Sequence, residues 1–157
     1  MEQISLAFYN KEFLRDLQKV ELPAEQKYFT ATPLEALQSL ANPNFHLIVI
    51  LRGGACVGYF ILHEKDGPAE LGFPFGALLI RSLAVDFAEQ GKGVASQAMR
   101  LLPLFVNDHF PEIHRLILLV NEKNIPARNL YQKVGFTEFV KRLDEVYGAQ
   151  LIYCKEL

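Results

Sequence analysis

Ala77-Leu78-Leu79-Ile80-Arg81-Ser82-Leu83-Ala84-Val85 is followed by Asp86-Phe87-Ala88-Glu89 and then by Gln90-Gly91-Lys92-Gly93-Val94-Ala95. The first run is almost continuously apolar, the pattern of a strand buried on both faces. From Gly93 to Val106 the period lengthens. Val94, Ala98, Leu101, Leu102 and Phe105 fall on one helical face, and Pro103 should kink that helix or end it early. Between strand and helix lies a glycine-rich turn. Such a turn leaves several backbone N–H groups unpaired, and the helix dipole behind them adds partial positive charge. Together they make a site for phosphate oxygens, where Gly93 admits close approach to the backbone and Lys92 adds one charge.

Two well-known phosphate loops are excluded. A Walker loop needs Ser or Thr directly after Gly-Lys, whereas Gly93 follows Gly91-Lys92. The dinucleotide fingerprint needs a third glycine three positions after Gly93, where Ser96 stands. What remains is the spacing Gln/Arg-x-x-Gly-x-Gly/Ala, met by Gln90, Gly93 and Ala95. At ordinary glycine usage about one chain in ten of this length matches by chance, so its place between a buried strand and a helix carries the argument.

Downstream, Arg115 to Val120 is a second buried strand, and Asn124 to Val134 is a helix with Ala127, Leu130, Tyr131 and Val134 on one face. Asn124 suits its N-cap, Pro126 its first turn and Gly135 its C′ position. Phe136–Leu143 and Ala149–Glu156 close the chain as two strands joined through Tyr147-Gly148. Upstream, His46–Arg52 and Ala55–His63 flank Gly53-Gly54 as a hairpin. Glu64 to Gly76 reads as a loop. Ile4 to Tyr9 is a first strand, a helix begins at Asn10 or Lys11 and is interrupted by Pro23, and Thr32-Pro33 opens another helix carrying Leu34, Leu37 and Leu40. Asn42-Pro43-Asn44 is a turn. Strands and helices alternate without a linker or repeat, so residues 1–157 are expected to form one α/β domain with a mixed sheet.

The 157 residues are half hydrophobic, 22% charged and of formal net charge −2. That balance excludes disorder and a disulfide-stapled miniprotein, and argues against nucleic acid or an anionic membrane as partner. No apolar stretch approaches the eighteen or so residues of a membrane span. Met1-Glu2-Gln3 lacks a basic leader, and Cys56 and Cys154 read as buried free thiols, so a cytoplasmic location is expected. His46, His63, His109 and His114 have no metal-ligand spacing, and no metal site is expected.

In these two segments the chain resembles the GNAT superfamily of acyl-CoA-dependent N-acetyltransferases. Gln90 to Ala95 resembles that family's pyrophosphate motif. Asn124-x-x-Ala127-x-x-Leu130-Tyr131-x-Lys133-x-Gly135-Phe136 resembles its second cofactor motif, and the order of elements matches from end to end. The fold implied is α+β: a mixed, mostly antiparallel sheet of about six to seven strands flanked by about four helices. A lesser likeness, to bacterial spermine/spermidine acetyltransferases, rests on Val20 to Gln26 with Phe29, and on Val85-Asp86 leading into Gln90 to Gly93.

The resemblance implies acetyl-CoA as cosubstrate and direct transfer to a primary amine, with a small polyamine-type acceptor. It implies that Leu83, Ala84 and Val85 offer backbone groups to the pantetheine arm and the acetyl carbonyl. Gly91, Lys92, Gly93, Val94 and Ala95 would hold the pyrophosphate through their N–H groups, with Gln90 opening the motif. Tyr131 would protonate the departing thiolate, since phenol and thiol pKa values of about 10 and 8.5 permit transfer. Asn124, Ala127, Asn129 and Lys133 are further cofactor contacts. The amine must lose a proton, for which Glu70, Asp86 and Glu145 are candidates. Glu21, Glu25 and Glu35 would form an acidic lip for a polycation. A protein or peptide acceptor, a non-catalytic acyl-CoA-binding module and a homodimer are alternatives that the sequence leaves open.

Overall fold

The two apolar runs around Gly53-Gly54 do form a hairpin. In the computed structural model, which describes residues 3–27 and 30–157, β2 (Phe45–Arg52) pairs antiparallel with β3 (Ala55–His63). Both turn glycines have positive φ, +56° and +86°, as the favoured two-residue hairpin turn requires. β1 (Ile4–Phe8) lies beside β2. β4 (Ala77–Val85) follows β3, and β5 (Arg115–Asn121) runs parallel to β4. The final strands, β6 (Thr137–Asp144) and β7 (Gly148–Glu156), complete a seven-stranded sheet of order β1-β2-β3-β4-β5-β7-β6. All its neighbouring strands are antiparallel except β4 and β5.

Six α-helices cover the sheet among the described residues, against about four expected. Three are short. α1 (Leu14–Gln18) continues a 3-10 turn at Lys11–Phe13 that Asn10 caps, and α2 (Ala24–Lys27) begins just after Pro23. α3 (Pro33–Gln38) starts with a capping box in which Thr32 and Glu35 each bond the other's backbone N–H.

The segment expected to be a loop carries α4 (Asp66–Glu70). Gly67 and Pro68 are poor helix formers, but both are buried, and a Cβ on Gly67 would collide with the His63 ring. Tertiary packing makes this helix. α5 (Val94–His109) likewise runs through Pro103 instead of stopping early. A helix-interior proline costs about 3 kcal/mol, and burial of one large aliphatic side chain returns about 1.5–3 kcal/mol. α5 buries Val94, Met99, Leu102 and Val106 against the sheet, which outweighs that cost. α6 (Ile125–Lys133) keeps the expected punctuation, with Asn124 as N-cap and Gly135 at φ +99° beyond its end.

The sheet divides the core. On one face Leu78 and Ile80 pack with Val94, Met99 and Leu116 beneath α5 and α6. On the other, Leu47, Val49 and Tyr59 pack with Leu17 and Ala36 of α1 and α3. Farther along that second face, Ala77 and Leu79 join Phe73, Ile117 and Ile152. β4 is therefore buried on both faces over its first half, as its composition predicts. Past Ile80 the pattern changes, and there the site opens.

Candidate active site

β4 and β5 pair only from Ala77↔Arg115 to Ile80↔Leu118. Beyond that point β4 bulges. Ile61 of β3 faces Arg81 and Tyr59 faces Ala84, so Ser82 and Leu83 together oppose Phe60. Ser82 adopts φ +60°, a left-handed conformation rare outside glycine. The bulge bends β4 away from β5. A cleft of about 870 Å3 occupies the gap, with Ser82 and Leu83 on one wall and Leu119 and Asn121 on the other. The β5-side edge of β4 past Ile80 has no strand partner, so its backbone polar groups face this cleft.

At one end the cleft meets the N-terminus of α5. Gly91 and Gly93 sit at φ +79° and +80°, a conformation that L side chains adopt only with strain. Gly93 is the N-cap, and no side chain caps the helix, so its leading N–H groups point at the cleft without a side-chain acceptor. Gly91, Gly93, Val94 and Ala95 line it there. The extended shape and this donor-rich end fit an elongated ligand with phosphate at one end.

Gln90 works differently. Its side-chain N–H donates to the Val85 carbonyl at 2.8 Å and to Gln26 Oε1 at 2.9 Å, and its own Oε1 accepts from Gln26 Nε2 at 3.1 Å. The side chain thus clasps the turn to β4 and to α2. Tyr131, 8% exposed, lines the cleft from α6. Its ring packs edge-on against Phe136, and its hydroxyl makes no hydrogen bond to a described residue. Burial pushes its phenol well above the ordinary tyrosine range, so the proton stays on oxygen at neutral pH.

The Acetyltransferase (GNAT) family model matches residues 8–136. A protein of Bacillus subtilis (strain 168), the uncharacterized N-acetyltransferase YbbJ, is 42% identical over 153 residues, 96% of each chain. The chain belongs to the GNAT acetyltransferase family. Its activity class is that of an acetyl-CoA-dependent N-acetyltransferase. The fold agrees. AAC(6′)-Ib, solved with ribostamycin and coenzyme A, is similar at TM-score 0.78 and 18% identity, over 99% of this chain and 94% of that one. The spermidine N-acetyltransferase from Vibrio cholerae, solved with CoA and spermine, is similar at TM-score 0.74 and 16% identity, over 98% and 95%.

Against this GNAT frame the expected residues divide. Leu83, Val85, Gln90, Gly91, Gly93, Val94, Ala95, Asn124, Ala127 and Tyr131 all line the cleft. Asn124 also caps α6, its Oδ1 accepting the Ala127 N–H at 3.3 Å. The Val85 carbonyl is taken by Gln90. Ala84 points its side chain into the opposite core. Lys92 is exposed and paired with Glu89 at 3.3 Å, and Asn129 and Lys133 lie on the solvent face of α6; none of these four lines the cleft.

Of the acidic lip, Glu25 and Glu35 line the cleft, whereas Glu21 lines a separate recess beside α3. The Thr32 N–H and hydroxyl hold the Glu35 carboxyl below the ordinary range. None of the three candidate bases lines the cleft: Asp86 accepts the Glu21 N–H, Glu70 ends α4, and Glu145 sits exposed between β6 and β7. Phe29 lies outside the described residues. Among these, no group of three or more His, Cys, Asp or Glu gathers to hold a metal, and no helix is long and apolar enough to cross a membrane.

Reading the sequence missed Arg81, Ser82, Asn121 and Gln26 as cleft residues. Arg81 had a visible signal, being the one charge in an otherwise apolar buried run. Ser82 and Asn121 depend on strand partners, and Gln26 on Gln90 far along the chain, which no local pattern encodes.

Proposed function

We propose that the chain transfers an acetyl group directly from acetyl-CoA to the primary amine of a small molecule held at the α2–α3 end of the cleft. One observation carries the reading: Tyr131, whose hydroxyl has no hydrogen-bond partner among the described residues, lines the cleft that also takes in the N-terminus of α5, where no side chain caps the helix. Bound along this cleft, acetyl-CoA supplies an activated thioester. The α5 N–H groups of Val94 and Ala95 hold its pyrophosphate, and backbone groups of the β4 bulge stabilise the negative charge that develops on the acetyl oxygen. Tyr131 gives its proton to sulfur as the carbon–sulfur bond breaks and the new carbon–nitrogen bond completes. Burial raises its pKa, and the same dry surroundings raise that of the thiolate, keeping the two close enough for transfer. The amine proton leaves through water toward Glu25, which lines the cleft and, unlike Glu35, is not taken up in the α3 capping box.

A polyamine acceptor would draw on Glu25 and Glu35, but these share the cleft with Lys27 and Arg81, a mixed-charge surface that does not single out a polycation. The testing experiment follows CoA release with a thiol reagent across an amine panel, with acetyl-CoA binding measured by calorimetry. Turnover of any small amine supports the reading. Acetyl-CoA binding without turnover of small amines or peptides points to a binding module, and absence of acetyl-CoA binding removes the reading of the Gln90–Ala95 turn.

A further inference from the structure

Arg81 lies immediately before the bulge at Ser82 and lines the cleft. Its guanidinium is held in place from two sides. One nitrogen donates to His63 Nδ1 at 2.9 Å, and the carbon of the group sits 5.5 Å from the centre of the Phe45 ring. Phe45 in turn packs on His63, their ring centres 4.1 Å apart. Because arginine can only donate, His63 must accept at Nδ1 and carry its proton on Nε2. Nε2 donates to Asp66 at 2.8 Å, and the same carboxylate oxygen accepts from Asn44 at 2.9 Å. His63 itself is 4% exposed and is walled in by Gly67, where any side chain would strike its ring.

This is an elaborate support for one cation, and it leaves the cation's recognition surface open. Arg81 is an exposed position in the otherwise largely buried β4. Arg81 forms no ion pair among the described residues, and its direct partner is a neutral ring nitrogen. Asp66 is an imidazole away, and Glu70 acts on Arg81 electrostatically without a hydrogen bond. Among the described residues one of the five guanidinium N–H groups is used, and the planar fork is shaped for a carboxylate. Glu25 and Glu35, which line the same cleft, suit the ammonium of an incoming amine.

Resting on the acetyltransfer reading above, we infer that the acceptor is an amine that also carries a carboxylate, an amino-acid-like zwitterion, with Arg81 binding the carboxylate and the His63–Asp66 pair positioning Arg81. The inference departs from the polyamine expectation, because a polycation would meet Arg81 as a like charge.

The test uses the full chain and matched amines that differ by one carboxylate: lysine and cadaverine, phenylalanine and phenethylamine, γ-aminobutyrate and propylamine, with spermine alongside. At least one carboxylate-bearing member should exceed its partner in kcat/KM by about ten- to hundred-fold, the value of a charge-assisted pair. Arg81→Gln should erase that advantage chiefly through KM, leaving kcat and acetyl-CoA affinity within a few-fold. Arg81→Lys should restore part of it. Carboxylate-free amines turned over as well or better, or Arg81→Gln lowering both members of a pair alike, overturns the inference. So does turnover of none of the carboxylate-bearing amines by a protein that binds acetyl-CoA. Absence of acetyl-CoA binding overturns instead the activity reading beneath it.

Discussion

The side-chain amides of Gln26 and Gln90 donate to each other, 3.1 Å in one direction and 2.9 Å in the other, and so tie α2 at the acceptor end to the turn that opens the phosphate site. The two residues are 64 positions apart, and the pair is partly buried. Gln90 holds a third bond, to the Val85 carbonyl, that Gln26 does not share. The two substitutions should therefore differ. Gln26→Ala removes only the link to α2 and should raise the acceptor KM several-fold while the acetyl-CoA KM stays within about twofold. Gln90→Ala also frees β4 and should raise both. A double-mutant cycle on acceptor kcat/KM should return a coupling of about 1 kcal/mol. Additive effects would mean that the amides touch without linking the two ends.

Tyr131 permits a separation of chemistry from binding. Its hydroxyl has no partner among the described residues, so Tyr131→Phe removes nothing that holds α6. Melting temperature and acetyl-CoA affinity should be unchanged, while kcat falls about 10²- to 10⁴-fold. A kcat within a few-fold of wild type would place the proton donor elsewhere.

The same burial gives a pH signature. The folded-state pKa of Tyr131 lies above its unfolded value, so folding favours the protonated phenol. That stability is fully present below the unfolded pKa of about 10 and is lost as pH rises above it toward the folded value. Tyr59, which donates to the Ala31 carbonyl at 2.6 Å, is raised too, through burial and then the nearby Glu35 charge. Wild type and Tyr131→Phe should show equal stability from pH 7 to about 9. Above about 10 the wild type should weaken faster in urea titrations. Parallel curves throughout would contradict the burial assigned to the phenol.

Much of this architecture is written in short-range pattern. Thr32-Pro33 announces the start of α3, and Asn124 and Gly135 bracket α6 within one residue, because caps and C′ glycines act locally. The glycine turn at 90–95 was readable for the same reason. The bulge was not, since Ser82 becomes exceptional only through its register against Phe60 on β3. α4 eluded the pattern because His63, not helix propensity, stabilises it, and α5 outran Pro103 because the sheet buries its stripe. Arg81 was visible as a charge among apolar neighbours, but its meaning needed His63 and Phe45.

Gly93 offers a test of backbone against side chain. A Cβ placed there meets only Gln97 Nε2, at 3.7 Å, so no steric clash with the protein arises. The cost of Gly93→Ala is then conformational, from φ +80°, at about 1–2 kcal/mol. Relief of that strain by rotating the turn would also withdraw the N–H groups of Val94 and Ala95 from the cleft. The variant should lose a few degrees in melting temperature and bind acetyl-CoA about tenfold or more weakly. Gly91→Ala, equally strained at φ +79° with nothing within 4 Å of its Cβ, is the control for strain alone. Equal losses of affinity in the two variants would show that the turn acts as one unit; a larger loss at Gly93 would identify the helix N-terminus as the phosphate-binding element.

The free thiols bear on how activity can be read. Burial pushes the Cys56 thiol, which donates to the Gly58 carbonyl at 3.3 Å, up to about 11, and burial also raises Cys154. Thiolate is the reactive form, so at pH 8 well under one per cent of Cys56 would react at any instant, by about three pKa units. Folded protein should therefore add almost no Cys56 signal to a thiol assay of CoA release, and denaturant should expose two thiols per chain. Rapid labelling of Cys56 in the native protein would mean that the core between α1 and β3 opens far more readily than its packing implies, because Cys56 lies 7% exposed in the cluster that contains Leu17 and Tyr59.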